Sequence, residues 1–240
     1  MRILITNDDG IYAPGMRPLA RWAKKYGEVT VVAPKVEQSG KSHGIDIIHP
    51  FEVKKIDLEP GVNAYAVDST PADCVRFALT GLRLEVDLII SGINRGFNLG
   101  RDIMYSGTAG AVFEAASVGK KAIAISTSPA YYPQAVEQLD EVFAYVKEHD
   151  LLSYNPIWNI NLVPEKKGIR ITRQGGLYFS DDFVPQGDDM YIAVGKCVFQ
   201  DTNNLELDTD AVTHGYTSVM PLAMERVNRA VYEQLKGLNE

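Results

Sequence analysis

The feature that most constrains the fold is an early alternation of apolar strands with a helix-spaced segment. Arg2–Thr6 is a short β-branched run, Gly15–Tyr26 carries apolar residues at helical spacing, and Glu28–Ala33 is again apolar and β-branched. Together they occupy about three dozen residues, the length of a parallel βαβ unit. The start of the chain therefore predicts a parallel sheet with buried strands.

The same alternation continues through the middle of the chain. Three further helix-spaced segments and three strand-like runs follow: Thr70–Leu82, Val86–Ser91, Gly107–Val118, Lys121–Ser126, Gln134–His149 and Ile157–Val163. This order is typical of an α/β fold with a doubly wound, mostly parallel sheet.

The C-terminal third has a different pattern. Residues from about 165 to 205 alternate in polarity and carry turn residues, which predicts an antiparallel β-hairpin extension suited to subunit contacts. Leu222–Leu235 has apolar residues on one helical face and predicts a C-terminal helix within residues 220–238. Because no repeat or linker interrupts the chain, we expect residues 1–240 to form a single α/β domain.

Composition excludes some partners. The net charge of -7 argues against binding to a nucleic acid polymer or to an anionic membrane surface. The two cysteines cannot build a disulfide framework, and neither a secretory signal nor a membrane-spanning apolar run is present, so we expect a cytoplasmic protein. A small anionic substrate stays compatible, because a metal ion and local amides can reverse the field inside one pocket.

Two adjacent carboxylates follow the first strand. Ligands of open parallel sheets bind beyond the carboxyl ends of the strands, and Asp8 and Asp9 are at such an end. Adjacent carboxylates repel each other, and a hard divalent cation is a common reason to keep them together. The alternative is that Asp8 forms a turn with Gly10 or caps the next helix. Because the two carboxylates are adjacent, the sequence favours a metal site over a turn or a helix cap.

Later strand ends supply compatible groups. Ser39 offers a hydroxyl oxygen to a metal, His43 offers a contact to phosphate, and Asn94 offers an amide oxygen. Each also fits an ordinary surface loop. Ser106 and Thr108 stand at the start of a small-residue helix, whose free amides suit phosphate, although either residue can also be a simple N-cap. Together these segments indicate hydrolysis of phosphate esters with a metal ion.

Five ordered motifs resemble a known family. They are Ile5–Gly10 (ITNDDG), Gln38–His43 (QSGKSH), Ser91–Gly100 (SGINRGFNLG), Tyr105–Ala111 (YSGTAGA) and Asp208–Leu222 (DTDAVTHGYTSVMPL). On these residues the chain resembles the SurE (survival protein E) family of metal-dependent 5'-nucleotidases, over nearly its whole length. The resemblance implies a Rossmann-like core, and a homodimer or homotetramer whose extensions exchange segments.

The resemblance also implies the site residues. It assigns one divalent cation, Mg or Mn, per subunit to four ligands: Asp8, Asp9, Ser39 and Asn94. It places four residues around the phosphate: Asn98, Ser106, Gly107 and Thr108. The implied substrates are nucleoside 5'-monophosphates, with 3'-nucleotides and short polyphosphate as further candidates.

Several mechanistic alternatives stay open at this level. Asp8 and Asp9 either serve catalysis only by holding the cation, or one of them forms an aspartyl-phosphate. His43 is a candidate general acid for the leaving oxygen. A binding module without turnover would use the same loops. Glycosyltransferases and haloacid-dehalogenase-type phosphatases use alternating D-x-D pairs, whereas these two aspartates are adjacent.

Overall fold

The computed structural model describes residues 1–132 and 134–238. Within these ranges the strands are β1 (Arg2–Thr6), β2 (Glu28–Pro34), β3 (Val53–Ile56), β4 (Asn63–Val67), β5 (Leu88–Arg95), β6 (Ala122–Thr127), β7 (Ile157–Leu162), β8 (Ile169–Ile171), β9 (Phe179–Gly187), β10 (Met190–Cys197) and β11 (Thr217–Pro221). The main sheet has the spatial order β3-β4-β2-β1-β5-β6-β7-β11-β8, and β9 pairs with β10 apart from it.

The centre of the main sheet is parallel. All neighbouring strands from β4 to β7 in this order run in the same direction, while β3 is antiparallel to β4 and β11 is antiparallel to β7. The chain moves outward from β1 to β2 on one side and returns to β5 on the other, so the order reverses between β1 and β5. In such sheets the crevice at this reversal is where ligands bind. The predicted α/β fold is confirmed.

Helices cover both faces of the sheet. They are α1 (Met16–Ala23), α2 (Pro71–Arg76), α3 (Gly107–Ser117), α4 (Leu139–Glu148), α5 (Leu151–Tyr154), α6 (Asp208–Thr213) and α7 (Arg229–Leu235). Side chains of β1 alternate between two cores: Ile3 and Ile5 pack with α1 and α4, and Leu4 packs with α2 and α3. Burial on both faces explains why the central strands are continuous apolar runs.

The C-terminal third differs from its prediction in two places. The terminal helix begins only at Arg229, because Asn228 caps it by accepting a bond from the Val231 N–H, whereas the prediction began it at residue 220 or 222. Leu222 instead continues the sheet edge, where its N–H donates to the Ile157 carbonyl. In this segment, pairing with the sheet therefore outweighs the helical spacing of the apolar residues.

The predicted extension is also shorter than residues 165–205. Only β9 and β10 form the antiparallel hairpin, whereas β8 joins the main sheet parallel to β11. The hairpin and α7 carry exposed apolar side chains, among them Phe183 at 72% and Tyr191 at 64% exposure, and α7 buries no residue. Among the described residues, no helix combines the length and apolarity needed to cross a membrane.

A buried aspartate ties two loops together beside the crevice. The Asp208 carboxylate accepts one bond from the Gly100 N–H at 2.9 Å and another from the Gly175 N–H at 2.7 Å. Gly100 has a φ of +54°, and a Cβ at this position would lie 2.0 Å from the Gly176 carbonyl oxygen. The two loops can approach this closely only because residue 100 has no side chain.

Gly100→Ala should therefore lower the free energy of unfolding by about 3 kcal/mol, the range of a substitution that combines backbone strain with overpacking. Urea unfolding monitored by circular dichroism measures the change. Gly176→Ala is the matched control, because a Cβ there meets no atom within 4 Å, and its stability should stay within about 0.5 kcal/mol of the parent. Equal stability of the two variants would contradict the close approach.

Candidate functional site

The crevice between β1 and β5 opens into a cavity of about 530 Å³. Five of the residues predicted for the site line it: Asp8, Ser39, Asn94, Asn98 and Ser106. They come from four separate segments of the chain, which the parallel strand ends bring to one edge of the sheet. The volume is within the range of small-molecule sites.

Asp8 is buried at the end of β1, with 3% of its surface exposed. Its Oδ1 accepts a bond of 2.5 Å from the Thr108 hydroxyl at the start of α3. Burial raises the pKa of Asp8, and hydrogen bonds from Thr108 and Gly107 oppose that shift. The first strand and the third helix therefore meet at one carboxylate.

Asp9 is half-buried and faces a neighbouring cavity of about 420 Å³, which shares Arg95 with the first. Its Oδ2 accepts a bond from the Arg95 N–H at 3.0 Å. Burial raises the pKa of Asp9 to about 6; the Arg95 N–H opposes this rise, and the charge of Asp8 adds to it. The two carboxylates thus lie at the junction of two cavities and repel each other.

Ser39 and Asn94 present oxygen atoms that are suited to a cation. The Ser39 hydroxyl donates its proton to Glu37 at 2.7 Å, which leaves the oxygen lone pairs available. The Asn94 amide nitrogen donates to the Gly96 carbonyl at 2.8 Å, so its Oδ1 is the end left for another partner. These hydrogen bonds orient both side chains and leave their oxygen atoms able to bind a cation.

These residues fit a hard divalent cation. In residues 1–132 and 134–238, no three His, Cys, Asp or Glu side chains converge as a metal cluster, so a cation here must rely on hydroxyl and amide oxygens beside Asp8 and Asp9. An all-oxygen set with one neutral amide is the donor chemistry that Mg and Mn prefer. A bound cation would also offset the burial that raises the pKa of both carboxyl groups and the repulsion by Asp8 that adds to the rise at Asp9.

The start of α3 faces the same cavity. The Ser106 hydroxyl caps the helix by accepting a bond from the Ala109 N–H at 3.0 Å. A Cβ on Gly107 would lie 2.9 Å from the Asp8 Cβ, so glycine allows the helix start to approach the carboxylate. The free amides and positive dipole end of an 11-residue helix are therefore directed at the place where Asp8 lies.

Three predicted site residues line neither cavity: Gly107, Thr108 and His43. Gly107 and Thr108 lie against Asp8 instead, whereas His43 contacts α3. The His43 Nε2 is 2.7 Å from Glu114 of α3, whose side chain is nearly buried. The backbone beside it is also fixed, because the Ser42 N–H donates to the Tyr105 carbonyl at 3.0 Å. This contact holds the loop on the helix, and a general-acid role for His43 stays a prediction.

The far wall of the cavity comes from residues that the sequence did not reveal. Leu177, Phe179 and Asp181, from the base of the hairpin, line it opposite Tyr105. Asp102 fixes this wall by accepting bonds from the backbone N–H groups of residues 178 and 179, at 3.2 and 2.7 Å. The alternation around residue 180 predicted a hairpin, but nothing in it indicated contact with the strand ends.

Comparisons with known proteins identify the family and the fold. A model of the family described as Survival protein SurE matches residues 3–181. A 5'-nucleotidase SurE from Thermosipho melanesiensis is 39% identical over 251 residues, covering 100% of this chain and 97% of that protein. One from Acinetobacter baumannii strain SDF is 38% identical, covering 99% of each. The crystal structure of the SurE protein from Aquifex aeolicus superimposes with a TM-score of 0.81 at 30% identity, covering 100% of both chains.

Proposed function

The chain belongs to the SurE family, and we propose that it is a 5'-nucleotidase that hydrolyses nucleoside 5'-monophosphates with the aid of a divalent cation. The observation that carries this proposal is the meeting of the Asp8 carboxylate with the N-terminus of α3 in one cavity. Anionic ligands suit a hard cation and free helix-start amides suit a phosphate, so a site where the two lie in contact can hold both side by side.

Asp8, Asp9, Ser39 and Asn94 would hold the cation, which we propose to be one Mg or Mn ion per subunit. When bound, such an ion supplies a Lewis acid for a phosphate oxygen and lowers the pKa of a coordinated water. The protein's own contribution is to keep both carboxylates in place: Thr108 holds Asp8, and the Arg95 N–H holds Asp9.

The phosphate would lie between this site and α3. Backbone amides at residues 107 and 108 would stabilise negative charge on the phosphoryl oxygens, and the Asn98 amide would add a further donor. Asn98 is 8% exposed and lines the cavity. Because α3 and β1 are both rigid elements, these donors need little rearrangement as charge develops.

The nucleoside would occupy the remaining volume, between Tyr105, Phe97 and the hairpin wall. Tyr105 is 61% exposed and lines the cavity. Aromatic faces stack on any base, so this wall supports acceptance of several nucleotides. We keep 3'-nucleotides and short polyphosphate as further candidate substrates, and the cytoplasm as the proposed location, which the two free cysteines suit.

Asp8→Asn and Asp9→Asn should each lower the affinity for Mn by about a hundredfold or more, because loss of a ligand costs at least as much as loss of a supporting residue. Release of phosphate from AMP should fall with it. The melting temperature of the metal-free protein should hold or rise, because each change removes a buried charge. Titration calorimetry, a phosphate-release assay and thermal unfolding measure the three effects.

The matched control is Asp181→Asn, the same change on the exposed far wall of the same cavity, which should leave Mn affinity unchanged. An equal loss in this variant would point to the general negative field instead of direct ligation. Excess EDTA should also abolish phosphate release from AMP by the parent protein, and added Mg or Mn should restore this activity. Full activity of both site variants would refute the assignment of the ligands.

Tyr105→Ala should raise KM for AMP by about two- to tenfold, the worth of one aromatic contact, with little change in kcat. Ribose 5-phosphate, which has no base, should show no change in KM with the same variant. Tyr154→Ala is the control, because Tyr154 is 82% exposed and outside the cavity lining. An equal rise in KM for both substrates would indicate that Tyr105 contacts the phosphate or supports the fold, and that it does not contact the base.

We also propose that the subunits associate as homodimers or homotetramers through the β9–β10 hairpin and α7. Ile192 and Val194 of β10 and Val231 of α7 are each 45–52% exposed, so these elements present apolar surface that the described part of the chain does not cover. Light scattering should give twice or four times the mass of one chain. Phe183→Asp on the hairpin should shift the protein toward smaller species, and a parent protein that is a single monomeric species would overturn this proposal.

A further inference from the structure

We propose that Ser126, Asn159 and Asn161 are positioning residues that hold Asn98 in the orientation that phosphate requires. This inference rests on the proposed function, because Asn98 is taken as a phosphate contact. The three side chains belong to β6 and β7, lie beneath the cavity, and are fully buried at 0% exposure.

The contacts to Asn98 involve both its backbone and its side chain. The Asn98 N–H donates to the Asn161 Oδ1 at 2.9 Å, and the Asn161 Nδ2 donates back to the Asn98 carbonyl at 3.0 Å. The Asn159 Nδ2 donates to the same carbonyl at 2.8 Å. The Asn161 amide therefore pairs with Asn98 as a peptide group of a neighbouring strand would.

The side chain of Asn98 is held by the third residue. Its Nδ2 donates to the Ser126 Oγ at 2.7 Å. A primary amide nitrogen carries two N–H groups, so one stays available for a phosphate oxygen. Ser126 thus fixes the direction of the group that would bind substrate.

The register of the sheet explains why these three residues act together. Asn159 and Asn161 are two positions apart on β7 and so lie on the same face. Ser126 of β6 pairs with Asn161 in the parallel register. The three polar side chains therefore form one patch on an otherwise apolar pair of strands, directly under the loop that carries Asn98.

A contribution to fold stability does not explain this patch, because one of its buried polar atoms destabilises the fold. The Asn159 Oδ1 is buried and has no hydrogen-bond partner within the described part of the chain. A buried amide acceptor without a partner destabilises a fold, and an apolar residue of similar size would avoid that cost. Two buried asparagines on a core strand are better explained by what they hold.

The test is a double-mutant cycle on Ser126 and Asn98, read out as affinity for inorganic phosphate in the presence of Mg by titration calorimetry. Ser126→Ala should weaken phosphate binding about fivefold, the worth of one hydrogen bond. In the Asn98→Ala background the same change should have no further effect, because Ser126 acts only through the Asn98 amide. Ser126→Thr, which keeps the hydroxyl, should restore the affinity.

The control variant is Ser218→Ala on β11. Ser218 is equally buried, is in register with Asn161 and bonds to Thr172 at 2.8 Å, but makes no contact with Asn98. It should lower thermal stability as much as Ser126→Ala does, with phosphate affinity unchanged. Asn161→Ala is the second probe, and it should weaken phosphate binding while leaving Mn affinity unchanged, because the Asn161 side chain bonds to the backbone of Asn98 and to none of the four proposed metal ligands.

Additive effects of Ser126→Ala and Asn98→Ala, or an equal loss of phosphate affinity in Ser218→Ala, would overturn the positioning role. Failure of the proposed function looks different. In that case the parent protein would release no phosphate from any nucleoside monophosphate, while the coupling between Ser126 and Asn98 in phosphate binding could still be measured.

Discussion

The bond between the Thr108 hydroxyl and the buried Asp8 carboxylate joins the two halves of the site. Asp8 follows β1, one of the inner parallel strands of the sheet, and Thr108 lies in the first turn of α3. A carboxylate with 3% exposure destabilises a fold unless strong donors or a cation compensate it. The approach of α3 supplies the donors, and it brings the anion-binding end of the helix within contact of the cation ligands.

The loop that carries Asn98 and Gly100 is held by a second set of polar contacts. Asn159 and Asn161 of β7 donate hydrogen bonds to the Asn98 carbonyl, and Asp208 at the start of α6 accepts one from the Gly100 N–H. The carboxylate of Asp208 accepts three backbone N–H bonds, and these oppose the rise in its pKa that burial causes. These bonds hold the loop on the sheet, and a loop that is already ordered would lose less entropy if substrate binds there, as proposed.

The sequence predicted the parallel core well because its signals are local. β1, β2 and α3 each have a periodicity that is complete within one segment, and Asp8 and Asp9 directly follow a strand. It could not predict that β11 inserts between β7 and β8, antiparallel to the first and parallel to the second, because these pairings join segments about 50 to 60 residues apart and depend on edge hydrogen bonds. Ile157–Val163 predicts a strand but gives no role to Asn159 and Asn161, since alternation identifies a face of a strand and not what lies above that face.

Charge explains why the proposed cation and phosphate would bind together. The chain has a net charge of -7, and the cavity itself contains Asp8, Asp102 and Asp181. A phosphate dianion would be repelled by this lining, and the neutral donors of α3 and Asn98 offset only part of that repulsion. Arg95 brings a positive side chain to the same cavity but is exposed to solvent, where its charge is screened. A divalent ion between the carboxylates would reverse the local field, and so the same acidic pair that repels free anions would admit a phosphate once the proposed metal is bound.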